Sequence, residues 1–287
     1  MIQALQFRAK NFLDDPEWRT RPWIHFEKDY HYRLIEHGIE LGGLIEELDS
    51  SGHREGNLGL LGIVNFMARF SQVDHHLDEW FQEFQESAPS PLYTVTSPPS
   101  TPTAGGFDNT TFFSFPRLQL AVITTHYWGI KIVLCSIVNA VALSLSRPNL
   151  AQGYSALDPG IRESMEQIIV EHDRERCVDL ATKIMRTTPY CFAENMGLMA
   201  AQQSIFPMRA AMFLLERYPG DELDWCKALY SQFQEKKGLK YATEIGKVAG
   251  GYALDQQVTF RQGIEEMLEA ETEADSPSRS WVEEEED

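Results

Sequence analysis

The sequence predicts a multi-helical, all-α domain. Apolar residues recur at helical spacing through most of residues 1–260. No segment of any length alternates at the two-residue period of a strand, and no Asn-Gly or Asp-Gly hairpin turn occurs. Helix-start and helix-stop residues recur between the apolar runs, with Asp158-Pro159 the clearest start. The organisation that follows is a helical domain over 1–260, interrupted by a disordered loop at 87–114, and a disordered acidic tail at 261–287.

Residues 1–84 read as helical. Trp18, Trp23, Phe26 and Tyr30 open an aromatic entry. Leu34, Ile35, Gly38, Ile39, Leu41, Leu44, Ile45 and Leu48 then mark one helix, which Ser50-Ser51-Gly52 is expected to stop. A second helix is expected from about Leu58 to Phe84, with Asp74, His75, His76, Asp78 and Glu79 on its polar side. Residues 87–116 hold six of the fourteen prolines and eleven Ser/Thr, a composition too polar to order itself. They form an insertion if the flanking helices pack together, and a linker if they do not. Phe115–Ser146 is the most apolar helix. Within it Tyr127–Leu145 has the length of a membrane span, yet carries Lys131, Ser136 and Asn139, so a central buried helix is expected. One helix is expected from Pro159 to about Arg186. Shorter ones follow near 191–204, 208–217, 221–237 and 239–249, separated by Pro189, Pro207, Pro219 and Gly238.

Charge and cysteine content narrow the function. The chain has 287 residues and a formal net charge of −18. Residues 261–287 contain eleven acids and two bases, so half of that charge sits in the tail. Phosphate backbones are bound by basic residues through counterion release, so direct nucleic-acid binding by this chain is not expected. Cys135, Cys177, Cys191 and Cys226 have neither CxxC nor zinc-ligand spacing, which suits free thiols in a reducing compartment. Met1–Lys10 has no apolar core of a secretion signal.

Catalytic motifs are absent from the sequence. Asp14-Asp15 is the only Asp pair, Trp18 occupies the third slot of a DDxxD pattern, and Pro16 interrupts the helix such a motif requires. A helix-start acidic pair is the better reading. No Glu-x-x-His pair, HExxH, GxSxG, P-loop or GxGxxG occurs. Asp74, His75, His76, Asp78 and Glu79 read as a solvated helix face rather than a metal site. His25, His31 and His37 are six apart and diverge around a helix. No catalytic or metal-ligating residue is therefore assigned.

An ordered series of segments is more informative. It runs EWRTRPW (Glu17–Trp23), LIEHGIELGGLIEELD (Leu34–Asp49), Trp80, the Ser/Thr/Pro loop, FPRL (Phe115–Leu118) and HYWGIKIVL (His126–Leu134). It continues with RTTPYC (Arg186–Cys191), Gly197, FPMRAA (Phe206–Ala211) and DELDWCKALY (Asp221–Tyr230). Over residues 14–245 this series resembles the C-terminal regulatory region of fungal binuclear zinc-cluster transcription factors, the six-cysteine regulators common in secondary-metabolite gene clusters. The resemblance implies an all-helical regulatory domain, a nuclear location, dimerisation with a related helical domain, and contact with the transcription machinery. The zinc cluster of that family needs six closely spaced cysteines among basic residues, which this chain lacks. No DNA-contacting residue can be carried over, and zinc is implied only if a cluster domain lies upstream. The alternatives are a DNA-blind decoy that dimerises with a full-length regulator, and a helical biosynthetic enzyme with an unrecognised site.

Two sets of residues are candidates for function. His126, Trp128, Tyr190 and Arg209 are expected to line a cavity between helices that takes a small effector. The alternative for such groups is structural, with rings buried and polar tips bonded. Met267, Leu268, Trp281 and Val282 interrupt the acidic tail as in amphipathic activation segments, the alternative being a solubilising tail.

Overall fold

In the computed structural model the described residues are 5, 10–54, 59–96, 111–145, 148–217 and 223–227. The expected all-α architecture is observed. A 3-10 turn at Phe12–Asp14 leads into α1 (Pro16–Thr20) and a second 3-10 turn at Arg21–Trp23. The long helices α2 (Tyr30–Arg54) and α3 (Leu60–Ser87) follow. After strands β1 (Thr94–Thr96) and β2 (Phe112–Ser114) come α4 (Leu118–Leu145), α5 (Pro148–Ser155), α6 (Pro159–Glu171), α7 (Arg174–Cys191) and α8 (Gly197–Arg217).

α4 is the axis of the fold. It touches α2, α3, α5, α6, α7 and α8, and its side chains are buried nearly all the way round. That explains an apolar sequence without a polar face. Two of its hydroxyls turn back onto their own helix: Thr125 Oγ1 donates to the Ala121 carbonyl at 2.8 Å and Ser136 Oγ to the Ile132 carbonyl at 2.9 Å. Among the described residues α4 is the one helix long and apolar enough to cross a membrane, and other helices cover most of it. Buried side chains of α2, α3, α4, α6, α7 and α8, with Leu5, Leu223 and Cys226, form one continuous apolar cluster, against which Leu150 and Tyr154 of α5 pack half-buried.

Several boundaries differ from the sequence expectation. α2 runs through Ser50 and Ser51 to Arg54, because Leu41, Leu44 and Ile45 are already anchored in the core and two serines cost little helix propensity. The single helix expected over 159–186 is two. Asp158 caps α6 as expected, its side chain accepting from Gly160 N–H. The helix then breaks at His172, and Asp173 recaps α7 by accepting the Arg176 N–H at 2.8 Å. Pro189 and Pro207 lie inside α7 and α8 instead of separating helices. The helices expected over 191–204 and 208–217 are one.

The proline-rich connection is also more ordered at its ends than expected. β1 and β2 pair antiparallel, Val95 opposite Phe113, and Tyr93 stacks on Phe113 with ring centroids 4.4 Å apart. Phe113 and Phe115 are buried against α4 and α7. The bulky aromatics, not the surrounding prolines, decide this local structure. α3 and α4, on either side, pack together, so the stretch is an insertion within one packed body. Residues 97–110, the helices expected beyond 228, and the acidic tail lie outside the described residues.

α4 and α8 meet closely at a glycine. A Cβ on Gly129 would stand 3.0 Å from the Phe206 ring and 3.3 Å from the Pro207 backbone. Gly129→Val is therefore expected to lower stability by about 1–3 kcal/mol, the usual cost of overpacking. Gly59 has nothing within 4 Å of the corresponding position, and Gly59→Ala is expected to change stability by less than about 0.5 kcal/mol. Urea melts of the two variants test the contrast.

Candidate functional site

The densest chemistry is a charged network buried between α3, α4 and the α6–α7 joint. Lys131 stands in the middle of the apolar α4 and is 1% exposed. Its ammonium binds Asp74 Oδ1 and, at 2.8 Å, Asp78 Oδ1. The Tyr127 hydroxyl, one turn earlier on α4, donates to the same Asp78 oxygen at 2.6 Å. Asp74 and Asp78 are four residues apart on α3, and Tyr127 and Lys131 four apart on α4, so two helix faces meet residue for residue. Arg176, in the first turn of α7, approaches Asp78 Oδ2 at 3.6 Å. The network thus runs from a dry interior at Lys131 and Asp74 to half-exposed ends at Asp78 and Arg176.

His172 closes the buried end. Its Nδ1–H donates to the Ile168 carbonyl at 2.7 Å. That leaves Nε2 facing Asp74 Oδ2 at 3.4 Å, within ion-pair range. A lone pair at Nε2 would repel the carboxylate, so the charged imidazole suits this position. Burial pulls its pKa down, but the Asp74 carboxylate outweighs that and the net direction is up. Asp74 moves to about 2, since His172 and Lys131 together overcome the cost of burying its charge. Burial first, then Asp78, pushes the Tyr127 phenol up, so it remains a hydrogen-bond donor.

This corrects the expectation of a solvated acidic face on α3. Asp74 points inward to a lysine 57 residues away. His75 does stay at the surface, 3.2 Å from Glu79. Of the histidines spaced by six, His31 and His37 meet partners from other helices. His31 faces His126 with ring centroids 5.7 Å apart, and His37 faces His76 at 6.4 Å. Asp14 and Asp15 are helix-start residues as read. Asp15 accepts the Glu17 N–H at 2.9 Å, and Asp14 pairs with Arg19.

Three of the four effector-pocket candidates fall in two environments. Trp128 and Tyr190 belong to one aromatic cluster: Trp128 contacts Tyr93 and Phe113, Phe115 contacts Tyr190, and Tyr93 joins the two. His126 lies on another side of α4, between His31 and Phe206, with Nδ1–H bonded to the Val122 carbonyl at 2.7 Å. Arg209 is half-buried on α8. None of the four lines either of the two cavities described next. One is an open groove of about 550 Å³ between α2, α3 and the N-terminal turns, bordered by Lys10, Asp14, Glu40, Glu47 and Arg69. Its charges are largely paired internally, Arg69 with Glu47 at 2.8 Å and Lys10 with Asp14 at 3.5 Å. The other is a seam of Thr125, Thr187, Thr188 and Ser204 between α4, α7 and α8, with no room for a water molecule. Met267, Leu268, Trp281 and Val282 lie outside the described residues.

Sequence reasoning missed the network because each half looked ordinary alone. One clue was present: a lysine inside an apolar run must find a carboxylate, and Asp74 and Asp78 were the spaced pair on the preceding helix. Comparison with known proteins adds no assignment, since no family model, curated protein or solved structure matches this chain.

Two expectations follow. Lys131→Met leaves Asp74 buried beside only His172 and is expected to cost about 3–5 kcal/mol, the range for breaking a buried ion pair. Adding Asp74→Leu should recover part of that loss, since it removes the stranded charge, and chemical denaturation of both variants measures it. The second concerns acid. Burial, reinforced by His76, Arg33 and Arg19, holds His37 near 4. Burial also holds His126 near 4, with His31 adding to it and the Val122 carbonyl opposing. Both are neutral in the fold, whereas the unfolded chain takes up protons from about 6.5 downward. The unfolded state thus binds more protons between these values, and stability falls as pH drops from 6.5 to 4. His172 has the opposite sign: its contribution is complete below pH 6.5 and is lost as pH rises through its raised folded value. Urea melts across pH 4–7 should show the acid slope, and His126→Phe should flatten it.

Proposed function

We propose that this chain is the helical regulatory region of a transcriptional regulator of the fungal zinc-cluster type. It acts in the nucleus through protein contacts, with related helical domains and the transcription machinery as partners, rather than by catalysis. The observation that carries the proposal is the ordered series of segments resembling that family, together with how those segments lie in space. Trp80 rests on Tyr127 of the HYWGIKIVL segment at 6.0 Å, and Phe115 of FPRL meets Tyr190 of RTTPYC at 5.7 Å. Gly129 receives Phe206 and Pro207 of FPMRAA. Segments far apart in the chain are therefore parts of one packing unit, as a shared domain requires. Phe12, Trp18, Ile24 and Phe26 stand exposed within one short segment, and apolar surface of this kind supports a protein contact. The acidic tail with Trp281 and Val282 supplies the composition of an activation segment.

The test is a reporter assay with the full chain fused to an unrelated DNA-binding domain. Activation well above the DNA-binding domain alone is expected, falling to background when Trp281→Ala and Val282→Ala are combined. A silent fusion whose free chain represses a related full-length regulator would instead identify a DNA-blind inhibitor. A silent fusion with neither effect would overturn the transcriptional reading.

A further inference from the structure

We propose that α6 is a proton-controlled flap, docked while the His172 imidazole is charged and released when that proton leaves. Nothing in this inference rests on the transcriptional reading. The geometry that carries it is the setting of the ring. His172 is buried, and both of its nitrogens face oxygen. Nδ1 lies 2.7 Å from the Ile168 carbonyl and Nε2 lies 3.4 Å from Asp74 Oδ2. A carbonyl and an ionised carboxylate accept hydrogen bonds and cannot donate them. A neutral ring carries one N–H, so its other nitrogen would turn a lone pair on an oxygen. Only the charged ring, with two N–H groups, suits both neighbours. At 3.4 Å the Asp74 contact is an ion pair rather than a tight hydrogen bond, so it depends on charge.

The surrounding groups leave Asp74 as the decisive partner. From α3, Asp74 faces the ring directly, while Asp78 is taken up by Lys131, Tyr127 and Arg176. From α4, Lys131 opposes the ring's charge but binds the other Asp74 oxygen. The Tyr127 phenol and the Cys135 thiol, also on α4, are buried and uncharged in the neutral range. From α7, Arg176 lies beyond Asp78, at 3.6 Å from its Oδ2. The Cys177 thiol donates to the His172 carbonyl at 3.7 Å. Glu171 and Asp173, on either side in sequence, are exposed. Burial opposes the charge on His172, and the Asp74 carboxylate outweighs it.

α6 is otherwise lightly held. Its buried side chains are Met165 and Ile168, with Ile169 half-buried, while Ile161 and Val170 are exposed. α7 buries eight side chains, from Cys177 to Cys191. The backbone of the joint is tied down independently of the ring, since the Asn139 amide of α4 donates to the His172 carbonyl at 3.0 Å. α7 therefore stays in place when the ring changes charge, and α6 is the element free to swing. Loss of the proton sets a lone pair against an oxygen in a dry place. The ring relieves this by turning to water, and α6 leaves with it. The docked form holds the proton more tightly than the released form. Docking is thus complete below pH 6.5 and weakens as pH rises through the raised folded value.

The test uses the purified full chain, followed by hydrogen–deuterium exchange and by proton NMR of the histidine rings between about pH 6 and 8.5. His172→Gln assigns the His172 signal, which is expected to titrate above 6.5. Exchange in α6, corrected for the intrinsic pH dependence of amide exchange, is expected to rise severalfold across the same midpoint. Exchange in α7 should stay unchanged. In His172→Gln, whose side chain carries no charge, α6 should exchange fast throughout the range. A midpoint below 6.5, an α6 whose protection ignores pH, or α6 and α7 loosening together would each overturn the proposal. The wild-type exchange decides this even if the variant fails to fold.

Discussion

One lysine constrains how this protein can pack. Lys131 lies mid-way along the most apolar helix, and its buried ammonium must have counter-charge in a dry place. A lone charge there would be prohibitive, so only arrangements that bring Asp74 against it are open. Apolar faces slide past one another at small cost, whereas an ion pair with a shared tyrosine bond admits one register. Tyr127 and Lys131 must face Asp78 and Asp74 one turn for one turn. The network therefore acts more on the choice of packing than on its strength.

The same demand explains the break between α6 and α7. His172 completes the ring around Asp74 only if its imidazole turns inward while its carbonyl stays accessible to Asn139. A continuous helix would commit that carbonyl to its own ladder. The chain instead ends one helix at His172 and restarts the next at Asp173, whose side chain supplies the cap. An exposed aspartate and a buried histidine, adjacent in sequence, divide the labour between solvent and core.

Helix content and the burial of α4 were legible because they follow from periodicity and length. So were the caps at Asp15 and Asp158, where a side chain and a Pro at the next position act locally. Long-range events were not legible. Pro189 and Pro207 read as breaks because propensity opposes them inside helices, yet tertiary packing at Gly129 and around Cys191 overrides that preference. Tyr93, Phe113 and Phe115 were hidden in a segment judged by its prolines. Among the pocket candidates, Trp128 and Tyr190 fall in one aromatic cluster while His126 turns elsewhere, because residues two apart on a helix point in nearly opposite directions. A pattern of residue types shows which groups are unusual for their surroundings, but not which distant group satisfies each.

The order of the partners of α4 along the chain has a consequence for how the protein is made. Asp74 and Asp78 are synthesised before Lys131, so the charged partner is waiting when the most apolar helix leaves the ribosome. The covers for the rest of α4, on α7 and α8, arrive only later. During that interval a long greasy helix is shielded on one flank and open on the other. A nascent chain in that state is a natural client for holding chaperones, and a stall within α7 would release an aggregation-prone intermediate.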